Sequence, residues 1–127
     1  MKTLTDYTQK ATSNSLEKAG AFFAFGTEQF NEAKKPGVKY FQMGAGLICP
    51  QDTATTLKKE LDENFKKGIE LDIAENGLDA IIDRELRNHE AGYTGDIDDT
   101  VRALASYPVT ADDVMRVFTA NRDKYGD

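Results

Sequence analysis

The spacing of hydrophobic positions along this 127-residue chain changes character near residue 52. Before that point the apolar residues come in short runs. Thr3 to Lys18 is polar and rich in Ser and Thr, with Leu4, Tyr7, Ala11 and Leu16 at loosely helical spacing, which predicts a marginal N-terminal helix over 1–18. The aromatic run Gly20-Ala-Phe-Phe-Ala-Phe-Gly26 is bounded by glycines and suits a buried strand by its length and composition. Thr27 supplies an N-cap oxygen for a helix over 28–35, with acids at its start and lysines at its end, and Pro36-Gly37 stops it. Val38 to Met43 has strand composition, Gly44-Ala-Gly46 makes a bend or bulge, and Leu47-Ile-Cys49 resumes the strand up to Pro50.

From Asp52 onward the period becomes helical. Asp52 or Thr53 is placed to cap a helix bearing Leu57, Leu61, Phe65, Ile69 and Ile73 on one stripe, with Gly68 marking a close contact or a break and Asn76-Gly77 its end. Leu78, Ile81, Ile82, Leu86 and His89 share a face of the next helix, which stops near Ala91-Gly92. A turn at Thr94-Gly95 follows, and Asp96 caps a helix running to Ser106 with Val101 and Leu104 inward. Thr110 and Asp113 form a variant capping box ahead of Val114, Val117, Phe118 and Tyr125. The expected fold is α+β, mostly α. A small antiparallel sheet of two or three strands (about 21–25 and 38–49) packs on a helical array (about 53–76, 78–91, 96–106 and 111–124), within a single domain over 1–127.

Charge adds an asymmetry to this picture. The net charge is −6, with residues 1–50 carrying six lysines against four acids and residues 51–127 carrying ten bases against eighteen acids. An acidic half repels phosphate backbones and attracts basic partners, so it argues against direct nucleic-acid binding and for a partner protein with a basic surface. No apolar stretch approaches the roughly 20 residues that span a bilayer, so no membrane segment is expected. A lone Cys49 and an opening Met1 to Asp6 without a signal-type apolar run predict a cytoplasmic protein.

Candidate chemistry is sparse. His89 is the only histidine, with Glu85 one turn before it and Glu90 and Asp96 after it, so a carboxylate is available to orient its ring. Nucleophilic catalysis needs a nucleophile and an oxyanion site as well, and the sequence identifies neither, which favours a structural helix-end histidine. Asp96, Asp98 and Asp99 lack the calcium-loop spacing and read as acids in a first helical turn, an arrangement repeated by Asp112-Asp113. Gly44-Ala-Gly46 lacks the third glycine of a dinucleotide loop. Phe22, Phe23, Phe25, Tyr40 and Phe41 read as core rather than a stacking platform, since no arginine precedes residue 84. No metal site and no cofactor are expected.

The strings Ala-Phe-Phe-Ala-Phe-Gly-Thr-Glu-Gln-Phe (21–30), Gly-Ala-Gly-Leu-Ile-Cys-Pro (44–50) and Glu-Leu-Arg-Asn-His-Glu-Ala-Gly-Tyr-Thr-Gly-Asp-Ile-Asp-Asp-Thr (85–100) together resemble a group of small uncharacterised proteins of bacteriophages and related mobile elements. The resemblance covers residues 20–118 and implies an accessory protein acting inside a bacterial host cell, with no catalytic residue to carry over. The expected function is therefore non-enzymatic: protein binding that inhibits or redirects a host defence or nucleic-acid-handling complex. Glu85, Glu90, Asp96, Asp98, Asp99, Asp112 and Asp113 would supply the charge, and Tyr93 an aromatic anchor. Two other classes stay open: a small enzyme centred on His89 with a neighbouring carboxylate, and a structural protein that forms a homo-oligomer through its aromatic strand.

Overall fold

In the computed structural model, which describes residues 1–125, the chain is α+β and mostly helical, as the periodicity implies. The elements run α1 (Leu4–Ala19), β1 (Phe22–Phe23), α2 (Thr27–Ala33), β2 (Tyr40–Gly44), β3 (Leu47–Pro50), α3 (Gln51–Asn76), α4 (Leu78–Asn88), α5 (Ala91–Thr94), α6 (Asp98–Ala103) and α7 (Ala111–Asn121). A turn of 3₁₀ helix, Arg122–Lys124, follows α7. The chain divides into two compact units, Met1–Gly68 and Ile69–Asp127. The first holds ten lysines against eight acids (+2), the second six bases against fourteen acids (−8).

In the first unit α1 is a full helix with both ends capped. The Asp6 carboxylate accepts from the Thr3 backbone N–H at 2.8 Å, and Gly20 closes the other end in the left-handed conformation (φ 73°). Helices α1 and α3 run antiparallel, as their contacts show in order. Thr53 Oγ1 donates to the carbonyl of Ala19 at 2.6 Å, Lys18 pairs with Glu60 at 3.4 Å, Asn64 Nδ2 donates to Ser15 Oγ at 3.0 Å, and Thr8 packs on Gly68. Thr53 thus satisfies an orphan carbonyl at the end of α1 instead of capping α3, which starts at Gln51 directly after Pro50. Helix α3 runs through Gly68 without a break, so that glycine marks the close contact and no interruption.

The sheet has the order β1-β3-β2, antiparallel throughout, with Phe22 opposite Ile48 and Phe41 opposite Cys49. Met43 is skipped in the β2–β3 register, and Ala45-Gly46 form the turn with both residues at positive φ (53° and 82°). One face of the sheet buries Cys49 among Ala19, Ala54 and Leu57, with Leu16, Met43 and Leu61 beside them. On the other side Phe22, Phe30 and Tyr40 form an aromatic cluster with ring centroids 5.5 to 6.3 Å apart. Phe23 and Phe25 stack on each other but are 53% and 75% exposed, so the aromatic run is only partly core.

In the second unit α4 packs against α5, α6 and α7, burying Ile81, Ile82, Leu86, Leu104, Val114, Val117 and Phe118. Each such side chain contributes about 1.5–3 kcal/mol on burial. The α7 capping box forms as its sequence indicates: Thr110 N–H donates to Asp113 at 2.8 Å and Asp113 N–H to Thr110 Oγ1 at 3.2 Å. Helix α4 stops at Asn88, short of Ala91, because Glu90 takes positive φ (53°), and Thr94 belongs to the one-turn helix α5. Asp96 Oδ1 does accept from the Asp98 N–H at 2.8 Å, yet α6 spans only Asp98–Ala103. The stripe on α3 fails at Phe65, which is 42% exposed. A spacing of four drifts about 40° per step. Phe65 therefore stands about 80° round the helix from Leu57, outside the face that Leu57 buries.

A Cβ at Gly68 would collide with the Thr8 methyl. Gly68→Ala is expected to destabilise the protein by about 1 kcal/mol or more. In a Thr8→Ser background, where that methyl is absent, the same change should instead stabilise by up to about 1 kcal/mol through helix propensity. Urea denaturation of the four variants in the cycle measures the difference.

Candidate functional site

Ionisable residues on the apolar stripes of α3 and α4 create the polar centre of the second unit. Asp72 follows Ile69 by three positions, and Arg84 lies between Ile81 and Leu86, so both are carried into the interior. There Arg84 Nη1 and Nη2 donate to the two Asp72 oxygens at 3.0 and 2.8 Å, a bidentate pair. Tyr107 OH donates to Asp72 Oδ2 at 2.5 Å and Asn76 Nδ2 to Oδ1 at 2.8 Å. Burial pushes the Asp72 carboxyl up, but the donors from Arg84, Tyr107 and Asn76 together outweigh it and hold the group below the usual carboxylate range. Tyr107 shifts upward, by burial first and then by the anion it donates to.

The network reaches outward along α4. Glu85 Oε1 lies 3.4 Å from Arg84 Nε, and its Oε2 lies 3.5 Å from His89 Nε2. His89 occupies the C-cap of α4, its side chain one-third exposed. A His–Glu couple of this kind orients an imidazole, and a reaction needs further groups beside it. Asp83 and Arg87 pair one turn apart at 3.0 Å. Tyr125 donates its hydroxyl to Asp83, stacks on Phe118 at 6.0 Å and lies under the Arg87 guanidinium at 5.0 Å, so its ring is held on three sides. Burial raises the Asp83 pKa, and the bonds from Tyr125 and Arg87 outweigh that and lower it.

Past His89 the chain turns sharply. Glu90 in the left-handed region costs about 1–2 kcal/mol for a residue with a Cβ. The turn buries Ala91, lays Gly92 against Tyr125 where no side chain would fit, and turns Tyr93 outward, 88% exposed. A cleft of about 430 Å³ opens here, lined by Arg87, Glu90, Gly92, Tyr93, Lys124 and Tyr125 over the buried Leu86.

The seven carboxylates that the sequence marks for a partner are not equivalent. Glu85 is engaged by Arg84 and His89, Asp99 by Arg102, and Asp113 by the α7 cap. Asp96 holds the first turn of α6. Glu90, Asp98 and Asp112 are exposed and have no ion-pair partner among the described residues. Glu90, Asp96, Asp98 and Asp99 flank Tyr93 within one segment, whereas Asp112 and Asp113 begin α7. Among the described residues no group of three or more His, Cys, Asp or Glu side chains is arranged to hold a metal ion, and no helix is long and apolar enough to cross a membrane.

Residues 4–122 match a family of unknown function, DUF7659. The chain belongs to DUF7659. No curated protein and no solved structure matches it. For this DUF7659 chain the buried Asp72–Arg84–Tyr107 network is the part of the site that sequence reasoning missed. The available signal was an ionisable residue standing in an apolar register on each of two successive helices.

Breaking that network should be costly. Asp72→Ala strands a buried guanidinium and is expected to cost about 3–5 kcal/mol, whereas the double change Asp72→Leu/Arg84→Met, which removes both charges, should recover most of the loss in urea titrations. The pH profile follows from the directions of shift. The depressed carboxyls of Asp72 and Asp83 contribute stability above the unfolded value of about 3.9, lost as pH falls through their folded values. The raised hydroxyls of Tyr107 and Tyr125 contribute stability that is complete below about pH 10 and is lost as pH rises through their folded values. Stability should therefore be flat near neutrality and fall on both sides, with Tyr107→Phe flattening the alkaline limb measured by denaturant melts.

Proposed function

We propose that this protein works by binding another protein, presenting the acidic segment around Tyr93 to a basic surface. The observation that carries the reading is Tyr93 itself. A large aromatic side chain at 88% exposure, raised by a one-turn helix between two left-handed residues and flanked by Glu90, Asp96, Asp98 and Asp99, is costly to display and has the composition of a recognition anchor. The −8 charge of residues 69–127 would steer it toward a basic partner. In the setting that the phage-like strings imply, the partner is a host complex of defence or nucleic-acid handling, which the protein inhibits or redirects in the bacterial cytoplasm.

A photoreactive phenylalanine analogue at position 93 is expected to crosslink one partner in bacterial lysate. Yield should fall as salt rises, and the combined change Asp96→Lys/Asp98→Lys/Asp99→Lys should abolish it. The same probe at position 65, also exposed, should capture nothing comparable. A crosslink that survives both high salt and the charge reversals would sink the reading, as would loss of the cellular effect in a folded His89→Ala variant that still binds.

A further inference from the structure

Strand β3 pairs with β1 on one side and β2 on the other, whereas β2 lies at the edge of the sheet, its outer side unpaired among the described residues. The direction of its backbone groups follows from one bond. Gln51 N–H donates to the carbonyl of Lys39 at 2.9 Å, so Lys39 faces β3, and alternation along the strand makes Phe41 face β3 and Tyr40 and Gln42 face outward. Tyr40 and Gln42 therefore offer unpaired N–H and C=O groups at the edge, symmetrically disposed about Phe41. Such edges are ordinarily blunted by charge, proline or irregularity. Here Tyr40 to Gly44 contains no charged residue and no proline, and the irregularity at Met43 begins only after Gln42.

We propose that this edge is a self-recognition site: two copies of the chain pair β2 to β2 in antiparallel register about a two-fold axis through Phe41, joining their sheets into one of six strands. The occupant is a second copy because the edge is complementary to itself. With the axis at Phe41, Tyr40 of one copy meets Gln42 of the other and the two exchange both backbone bonds, which gives about four inter-chain hydrogen bonds in total. The two Phe41 side chains, each 50% exposed, fall opposite each other at the closely spaced non-bonded position, about 4.5 Å between Cα atoms. Lys39 falls opposite Met43 of the second copy, so no like charges meet. Tyr40 is already positioned, its ring in the Phe22–Phe30 cluster and its hydroxyl accepting from the Lys35 N–H at 2.9 Å, so the strand does not have to be ordered on pairing. An interface this short is below the standard size and implies a weak, reversible association. It shares no residue with the acidic segment, and its failure would leave that reading intact.

Sedimentation velocity over a hundredfold range of concentration should show a monomer–dimer equilibrium for the unaltered chain. Gln42→Pro removes an outward N–H without touching the β2–β3 bonds, and Phe41→Lys sets two lysines face to face. Each should yield monomer at every concentration with unchanged circular dichroism, and Phe41→Lys alone decides the matter if the proline variant unfolds. In a Cys49→Ala background, which removes the thiol opposite position 41 in the β2–β3 pair, Phe41→Cys should oxidise to a covalent dimer, because the two Cβ atoms lie within disulfide reach across the axis, whereas Tyr93→Cys in the same background should not. A chain that stays monomeric throughout, or self-association that persists in Phe41→Lys, overturns the proposal.

Discussion

A carboxylate and a guanidinium removed from water hold the second unit in place. Asp72 closes the last turns of α3 and Arg84 sits mid-way along α4, so their bidentate pair ties two successive helices, and Tyr107 adds the segment between α6 and α7. Neither charge is tolerable alone in an apolar interior, which makes the three side chains interdependent. The surrounding Ile81, Ile82, Leu86 and Leu104 supply the hydrophobic stabilisation but tolerate many arrangements of similar volume. The directional bonds favour one. Everything further out depends on that choice: Glu85 and His89 continue from Arg84, and the Asp83–Arg87–Tyr125 cluster occupies the opposite side of the same helix.

Much of this architecture was legible because local signals agreed with the burial they produce. The bend at Gly44 to Gly46 and the Thr110–Asp113 box each specify a local geometry by chemistry that acts over a few residues, and both formed, whereas the glycine-bounded aromatic run forms a strand only at Phe22–Phe23 and leaves Phe23 and Phe25 exposed. Readings that depended on a distant partner fared worse. Thr53 has the chemistry of a cap, yet its hydroxyl goes to Ala19, a partner that only tertiary structure supplies. Periodicity reads the α3 stripe as one face, although a spacing of four drifts around the helix and leaves Phe65 exposed. Asp72 and Arg84 were overlooked for a related reason: a charged residue on an apolar stripe reads as noise until its counter-ion is placed beside it.

The two non-glycine residues at positive φ, Ala45 and Glu90, mark where the backbone is forced. Ala45 closes the β2–β3 turn, whose tight geometry matches the twist of the strands at the cost of an unfavourable alanine conformation. Glu90 ends α4 early and sets the direction of Tyr93. In both places strain is concentrated beside a surface available for contact, at the sheet edge in one unit and at the aromatic cleft in the other.

Cationic residues are partitioned by type as well as by number. Ten of the eleven lysines precede Ile69, whereas all five arginines follow it, and Arg84, Arg87, Arg102 and Arg116 are each engaged with an aspartate. Guanidinium groups stay charged at any physiological pH and resist acylation, whereas primary amines do not. Acetylation of this protein would therefore erode the slight positive balance of its N-terminal portion and leave the internal ion pairs of the C-terminal portion untouched, making the two halves electrically more alike without loosening either core.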